Sequence, residues 1–188
     1  MNEDIKVLYR EVQERFVKVI WTHKIQLCQA GIYRKADNRN KKIMMILSVL
    51  VSASAITDIF KWLPECIILP VLAIFSLILT YFTTKVQSEN LEKLASDNER
   101  FAAIMHNLRN RYAGLLSDIL AGALTKEQII AQRTLLEKDE DLVYSGIVPY
   151  TSTKAVDDAE TALKFKQEST TTDEEIKMIV SKNLQITK

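Results

Sequence analysis

The sequence predicts an all-α membrane protein: a two-helix transmembrane hairpin with flanking cytoplasmic amphipathic and coiled-coil helices. Three observations lead there. Two apolar stretches between Ile43 and Phe82 are nearly free of charge, basic residues crowd the approach to the first of them, and the segments on either side space their apolar residues by three and four. The chain accordingly divides into an N-terminal amphipathic helix with a basic juxtamembrane segment (1–42), the hairpin (43–82), a coiled-coil-like helix (83–124) and short C-terminal helices (125–188).

In the first segment Ile5, Leu8, Val12, Phe16, Val19 and Leu27 alternate with the charged residues Glu3, Lys6, Arg10, Glu11, Glu14 and Lys18. Side chains three and four apart share one face of a helix, so the pattern marks an amphipathic helix from about Asp4 to about Ala30. Gly31 and the pair Asp37 and Asn38 are candidate breaks, and the residues leave open whether the helix pauses there or runs on. Trp21 suits either helix packing, the commoner role on such a face, or a membrane interface.

The first arm of the hairpin, Ile43–Thr57, meets no charge before Asp58, and the second, Cys66–Phe82, carries none. A hydrocarbon core of ~30 Å takes roughly 20 helical residues at ~1.5 Å each, a length that each arm with its flanks just reaches. The competing reading, a hairpin buried in a soluble domain, calls for a polar face. Ser48, Ser52, Ser54 and Thr57 are instead scattered among apolar neighbours. Trp62 and Tyr81 stand where interfacial aromatics are expected. Arg34, Lys35, Arg39, Lys41 and Lys42 precede the first arm, against Lys61 alone in the turn. That bias predicts a cytoplasmic N-terminal side, and the short turn Asp58–Glu65 returns the chain to it, so both termini are expected in the cytoplasm.

Within the arms, Ser48, Ser52 and Ala55 recur on one face of the first, and Ser76 and Thr80 on one face of the second. Small residues let membrane helices approach closely, so these faces predict packing of the arms; in an oligomer the same weakly polar faces could line a water path. Asp58 is the carboxylate at the end of the first arm. It reads as a solvated capping residue or, with Glu65, as part of an acidic ring at a channel mouth. Pro70 predicts a kink inside the second arm, and Pro64 suits a helix start.

Beyond the hairpin, Lys85 opens a second amphipathic helix in which Leu91, Leu94, Asn98, Phe101, Met105, Leu108, Tyr112, Leu115 and Ile119 keep an alternating three-and-four spacing. This is a coiled-coil seam with Asn98 as its polar position, a residue type that fixes register. With the N-terminal helix it predicts an antiparallel stalk, within one chain or between several. Thr125 and Gln128 have capping-box spacing, opening a helix through Leu135 and Leu136. Gly146, Pro149 and Ser152 mark a loop, and a short helix follows from about Lys154 to Lys166. Thr172 and Glu175 repeat the box before a last helix with Ile176, Ile179, Val180 and Leu184 on one side.

Composition narrows function further. The near-neutral balance hides a net +4 over residues 1–124 and −3 over 125–188. The basic excess gathers beside the hairpin and suits anionic lipid headgroups better than a nucleic-acid groove, so no direct nucleic-acid binding is expected. Asn2, Glu3 and Asp4 do not open a signal peptide, leaving the first arm as the insertion signal. Cys28 and Cys66 fall on opposite sides of the expected membrane, too far apart for a disulfide. With His23 and His106 they make no zinc-ligand spacing. There is no phosphate-binding glycine loop and no nucleophile beside a histidine, so no catalytic residue and no cofactor is assigned.

The segment Leu108–Ile119, with Arg133, Leu136 and Glu137, then Pro149, Thr151, Ser152 and Ala155, and finally Thr172–Ile176, resembles the SLATT family, two-helix membrane effectors associated with SMODS nucleotidyltransferases and SLOG sensors. The likeness runs from about Trp21 to the end. It implies a bacterial defence effector that forms pores in the inner membrane on a signal from a separate partner: a cyclic-oligonucleotide synthase, a SLOG nucleotide sensor or a reverse transcriptase. The rival from another class is a membrane-anchored helical adaptor that conducts nothing and recruits partner proteins.

Overall fold

A computed structural model describes residues 3–51 and 65–166. Its elements are α1 (Glu3–Val51), α2 (Glu65–Glu89), α3 (Leu91–Leu120), α4 (Lys126–Ser145) and α5 (Thr153–Glu160), the last running into one π-helical turn at Thr161–Phe165. No strand occurs among the described residues, as the all-α reading expects. The chain divides into two compact units, Met1–Cys28 with Arg100–Lys188, and Gln29–Glu99.

The first unit packs the beginning of α1 with α3, α4 and α5. Contacts between α1 and α4 advance together along both helices, so the two are parallel. Asp4 meets Lys126 (2.6 Å), Glu11 meets Arg133, Arg15 meets Glu137 (3.0 Å), and the hydroxyls of Thr22 and Tyr144 lie 3.1 Å apart. α3 runs antiparallel to α4, pairing Arg111 with Asp139 (2.7 Å) and Phe101 edge-on with Tyr144. Their shared core contains Leu8, Val12 and Val19 of α1, the α3 seam Phe101, Met105, Leu108, Tyr112, Leu115 and Ile119, and Ile129 and Leu136 of α4. Each such side chain, removed fully from water, stabilises the unit by ~1.5–3 kcal/mol before chain entropy is set against it.

Local chemistry fixes the ends. Gly122, at φ +67, closes α3: its N–H reaches Ile119 O (3.1 Å) and the N–H of Ala123 reaches Asp118 O (3.0 Å), the paired bonds of a left-handed helix stop. The expected capping box opens α4. Thr125 Oγ1 accepts from Gln128 N (3.3 Å) and Gln128 Oε1 accepts from Thr125 N (2.8 Å). Ser152 caps α5, which buries Ala155 and Ala159.

The sequence leaves open whether α1 pauses after Ala30; it continues through Gly31 and Asp37 to Val51, and Asp37 bonds Lys41 one turn on (2.7 Å). One expectation is corrected. The helix after the hairpin starts at Leu91 and not near Lys85, since α2 runs to Glu89 and Asn90 breaks the path with φ +41, a conformation asparagine tolerates. α4 runs on through Asp139, Glu140 and Asp141 to Ser145. The expected box at Thr172 and its helix lie outside the described residues.

Candidate membrane-facing site

The second unit holds the remainder of α1, all of α2 and the start of α3. α1 and α3 are antiparallel here as well: Arg34 grips Glu99 with two donors, Nε at 2.5 Å and Nη2 at 2.6 Å, and Lys41 reaches Glu92 (3.0 Å) as well as Asp37. The fork of Arg34 holds the Glu99 carboxyl below the usual carboxylate range, chiefly through those hydrogen bonds. Besides Ala30, Leu47 and Ala95, this unit buries polar side chains. Gln29, Asp37, Asn40 and Asn98 are all nearly inaccessible. Asn98 Nδ2 donates to Leu94 O (2.8 Å), while its Oδ1 is buried without a hydrogen-bond partner.

Toward the hairpin the character changes. Ser48 is exposed and its hydroxyl donates to Met44 O (2.8 Å). Ser76 and Thr80 are exposed on α2, and the Thr80 hydroxyl donates to Ser76 O (2.8 Å), a pattern Thr83 repeats onto Leu79 O. Met45, Ile46 and Val49 on α1, and Ile74, Leu77 and Tyr81 on α2, stand in the open, with Leu77 at 71% and Met45 at 68% of full exposure. Hydroxyls that turn back on their own helix, as those of Ser48, Thr80 and Thr83 do, are satisfied without a partner from solvent. The structure thus brings Ser76 and Thr80 together and keeps Ser48 on its own helix. Ser52, Ala55 and Asp58 lie outside the described residues.

Among the described residues no helix is long and apolar enough to cross a membrane. The apolar part of α1 is described from Ile43 to Val51, roughly 13 Å of the ~30 Å a crossing takes. In α2 the described side chains begin at Pro70, and Pro70–Phe82 rises roughly 20 Å.

A family model for the SMODS and SLOG-associating 2TM effector domain family 4 matches residues 8–175. The chain belongs to this SLATT family. Its description is that of an effector domain with two transmembrane helices. No curated protein and no solved structure matches this SLATT chain.

Two clusters in the first unit were not legible as sites. Glu140 is buried, accepts from the Tyr112 hydroxyl (2.9 Å) and pairs with Arg15 Nη1 (3.3 Å). Burial first, then the hydrogen bond to Glu140, raises the Tyr112 phenol above its usual range. His23 and His106, far apart in the chain, have ring centroids 5.5 Å apart, and Asn110 lies 3.2 Å from His106 Nε2. Burial, reinforced by His106, Arg109 and Lys24, pushes the His23 pKa down to about 4. Trp21 packs in this unit under Lys164, 5.8 Å from its ring, in agreement with the packing role. No group of three metal-ligating side chains forms among the described residues.

Proposed function

We propose that this SLATT chain is a pore-forming effector of a bacterial anti-phage or conflict system, triggered by a separate sensor or nucleotide-signal component and acting by depolarising the inner membrane. One observation carries the reading. The described parts of the hairpin arms expose Met45, Ile46, Val49, Ile74, Leu77 and Tyr81, while Ser48, Thr80 and Thr83 bond back to their own helices. A largely aliphatic surface on which the Ser48, Thr80 and Thr83 hydroxyls are satisfied by their own helices fits a lipid environment. The family's two-transmembrane description supports the same reading. In it, the arms Ile43–Thr57 and Cys66–Phe82 cross the membrane, both termini stay cytoplasmic, and several chains assemble with Asn98 setting their register. The Ser48, Ser52 and Ala55 faces, with Ser76 and Thr80 opposite and Asp58 at the outer mouth, rearrange to pass ions. A nucleotidyltransferase, a SLOG sensor or a reverse transcriptase encoded nearby supplies the trigger, which need only bind the open state better than the closed one.

The test is membrane potential in bacteria expressing the chain with and without its genomic neighbours, read by a voltage-sensitive dye. Loss of potential with the neighbours, abolished by Ser52→Leu at equal insertion, is the expected result. Intact potential in every condition with the protein inserted would replace the pore by an anchored adaptor.

A further inference from the structure

We infer that Lys35, Arg39 and Lys42 form a binding stripe for the headgroups of an anionic phospholipid leaflet. The inference rests on the membrane reading above and names the class of lipid it engages. Five cations stand on α1 between Arg34 and Lys42, and the structure sorts them into two sets. Arg34 and Lys41 are engaged by Glu99, Asp37 and Glu92. Lys35, Arg39 and Lys42 are exposed and unpaired among the described residues.

Spacings of four and three keep those three within an arc of roughly 60° on a helix that turns ~100° per residue. Ile46 and Val49, each 60% exposed, continue the same line by four and three. The buried residues Asp37, Asn40 and Leu47 lie on the opposite face. Asp37 is the one acidic residue between Glu14 and Asp58, so nothing on the stripe competes for its cations.

A single face thus passes in about four turns from unpaired cations to bare aliphatics. That is the order in which a lipid presents phosphate and then acyl chain. The stems of Lys35 and Lys42 can lie along hydrocarbon with their ammonium groups at headgroup level, and the guanidinium of Arg39 suits two oxygens of one phosphate. A zwitterionic leaflet lacks the net charge to match, and a free nucleotide or nucleic acid would leave Ile46 and Val49 uncovered. Anionic lipid satisfies both halves.

The experiment uses the full chain with Trp21→Phe and Trp62→Phe and a single reporter, Ile46→Trp, in phosphatidylcholine vesicles. Each preparation contains a small fraction of either brominated phosphatidylglycerol or brominated phosphatidylcholine, and quenching of the reporter is compared. We expect phosphatidylglycerol to be preferred by ~5-fold or more, about the effect of one basic side chain at an anionic surface. Lys35→Gln with Arg39→Gln should lower the preference severalfold, and Arg34→Gln with Lys41→Gln, an equal change in charge, should keep it. Equal quenching by both lipids in the parent chain would overturn the stripe and leave the membrane reading standing. Loss of preference in both double variants would overturn it too, by assigning the effect to net charge. Quenching by neither lipid would place residue 46 outside the bilayer and overturn the membrane reading itself.

Discussion

The contact between Tyr112 and Glu140 offers a quantitative test of how the first unit is held together. Tyr112 is fully buried and Glu140 is 6% exposed, so neither can exchange its partner for water. The phenol donates to Glu140 Oε2 at 2.9 Å, and Arg15 supplies the second donor at 3.3 Å. A hydrogen bond to a charged group is worth ~1.5–3 kcal/mol net, and removing one partner leaves the other's desolvation uncompensated. Tyr112→Phe should therefore cost ~2–3 kcal/mol, since the buried carboxylate keeps only Arg15. Glu140→Gln keeps the shape and loses the charge. It should cost somewhat less, because Arg15 retains Glu137 at 3.0 Å. Tyr112→Phe removes the bond and Glu140→Gln removes the charge that strengthens it, so the double variant should fall short of their sum by ~1 kcal/mol. Urea unfolding followed by Trp21 fluorescence in a Trp62→Phe background reads this unit directly. A coupling under ~0.5 kcal/mol, the scatter of independent sites, would refute the idea that this pair clamps α3 to α4.

Other predictions use the same assay or simple variants of it. His23 has its pKa pushed down to about 4, below the ordinary ~6.5 of an unfolded chain. The unfolded state thus binds the extra proton, and stability from this group is fully present above ~6.5 and lost as pH falls toward 4. His23→Gln should flatten the loss of stability between pH 7.5 and 5; an unchanged slope would assign it elsewhere. Asn98→Leu removes a buried, unpartnered oxygen whose desolvation costs ~1–3 kcal/mol, so the melting temperature should rise while mass photometry shows an altered assembly. A fall in melting temperature would mean that Asn98 has a partner in the assembled protein. Thr125→Ala removes the cap of α4 and should cost ~1 kcal/mol, visible as faster amide exchange in its first turn.

Much of the first unit was legible because its core is apolar and periodic. Phe101, Met105, Leu108, Tyr112, Leu115 and Ile119 are all buried as their spacing predicts, and the Thr125 box forms as drawn. The seam slips at its start, where Ala95 is fully buried and Leu94 is 38% exposed. Residues three and four before Asn98 are both its neighbours on a helix, so spacing alone does not choose between them, and size misleads. On α1 the failure is larger. Leu27 is exposed, and the buried line passes instead through Gln26, Gln29, Ala30, Asp37 and Asn40, which a search for apolar periodicity passes over. Glu140 and the two histidines were invisible for a different reason. Their environments come from partners 28 to 125 positions away, and only the helix register brings these together. Of the candidate site, Ser76 and Thr80 lie one turn apart on α2, and Ser52, Ala55 and Asp58 fall outside the described residues.

The polar seam of the second unit bears on how a gated effector would work. Apolar seams hold helices together through burial, whereas buried amides such as Gln29, Asn40 and Asn98 specify partners and register at a cost in stability. Around them the pairing rests on Arg34 with Glu99 and Lys41 with Glu92. These pairs are solvent-exposed, and exposed ion pairs are weak and screened by salt. The helices next to the expected pore are thus joined by interactions that can be exchanged for others of similar strength, unlike the core around Met105 and Tyr112. A two-state element must have two arrangements of comparable free energy, since a trigger can shift a population only by its differential affinity. On the pore reading, the contact of α1 with α3 between Gln29 and Asn40 is where that balance would be set, and substitutions of Gln29 or Asn40 by leucine should lock one state before they unfold either.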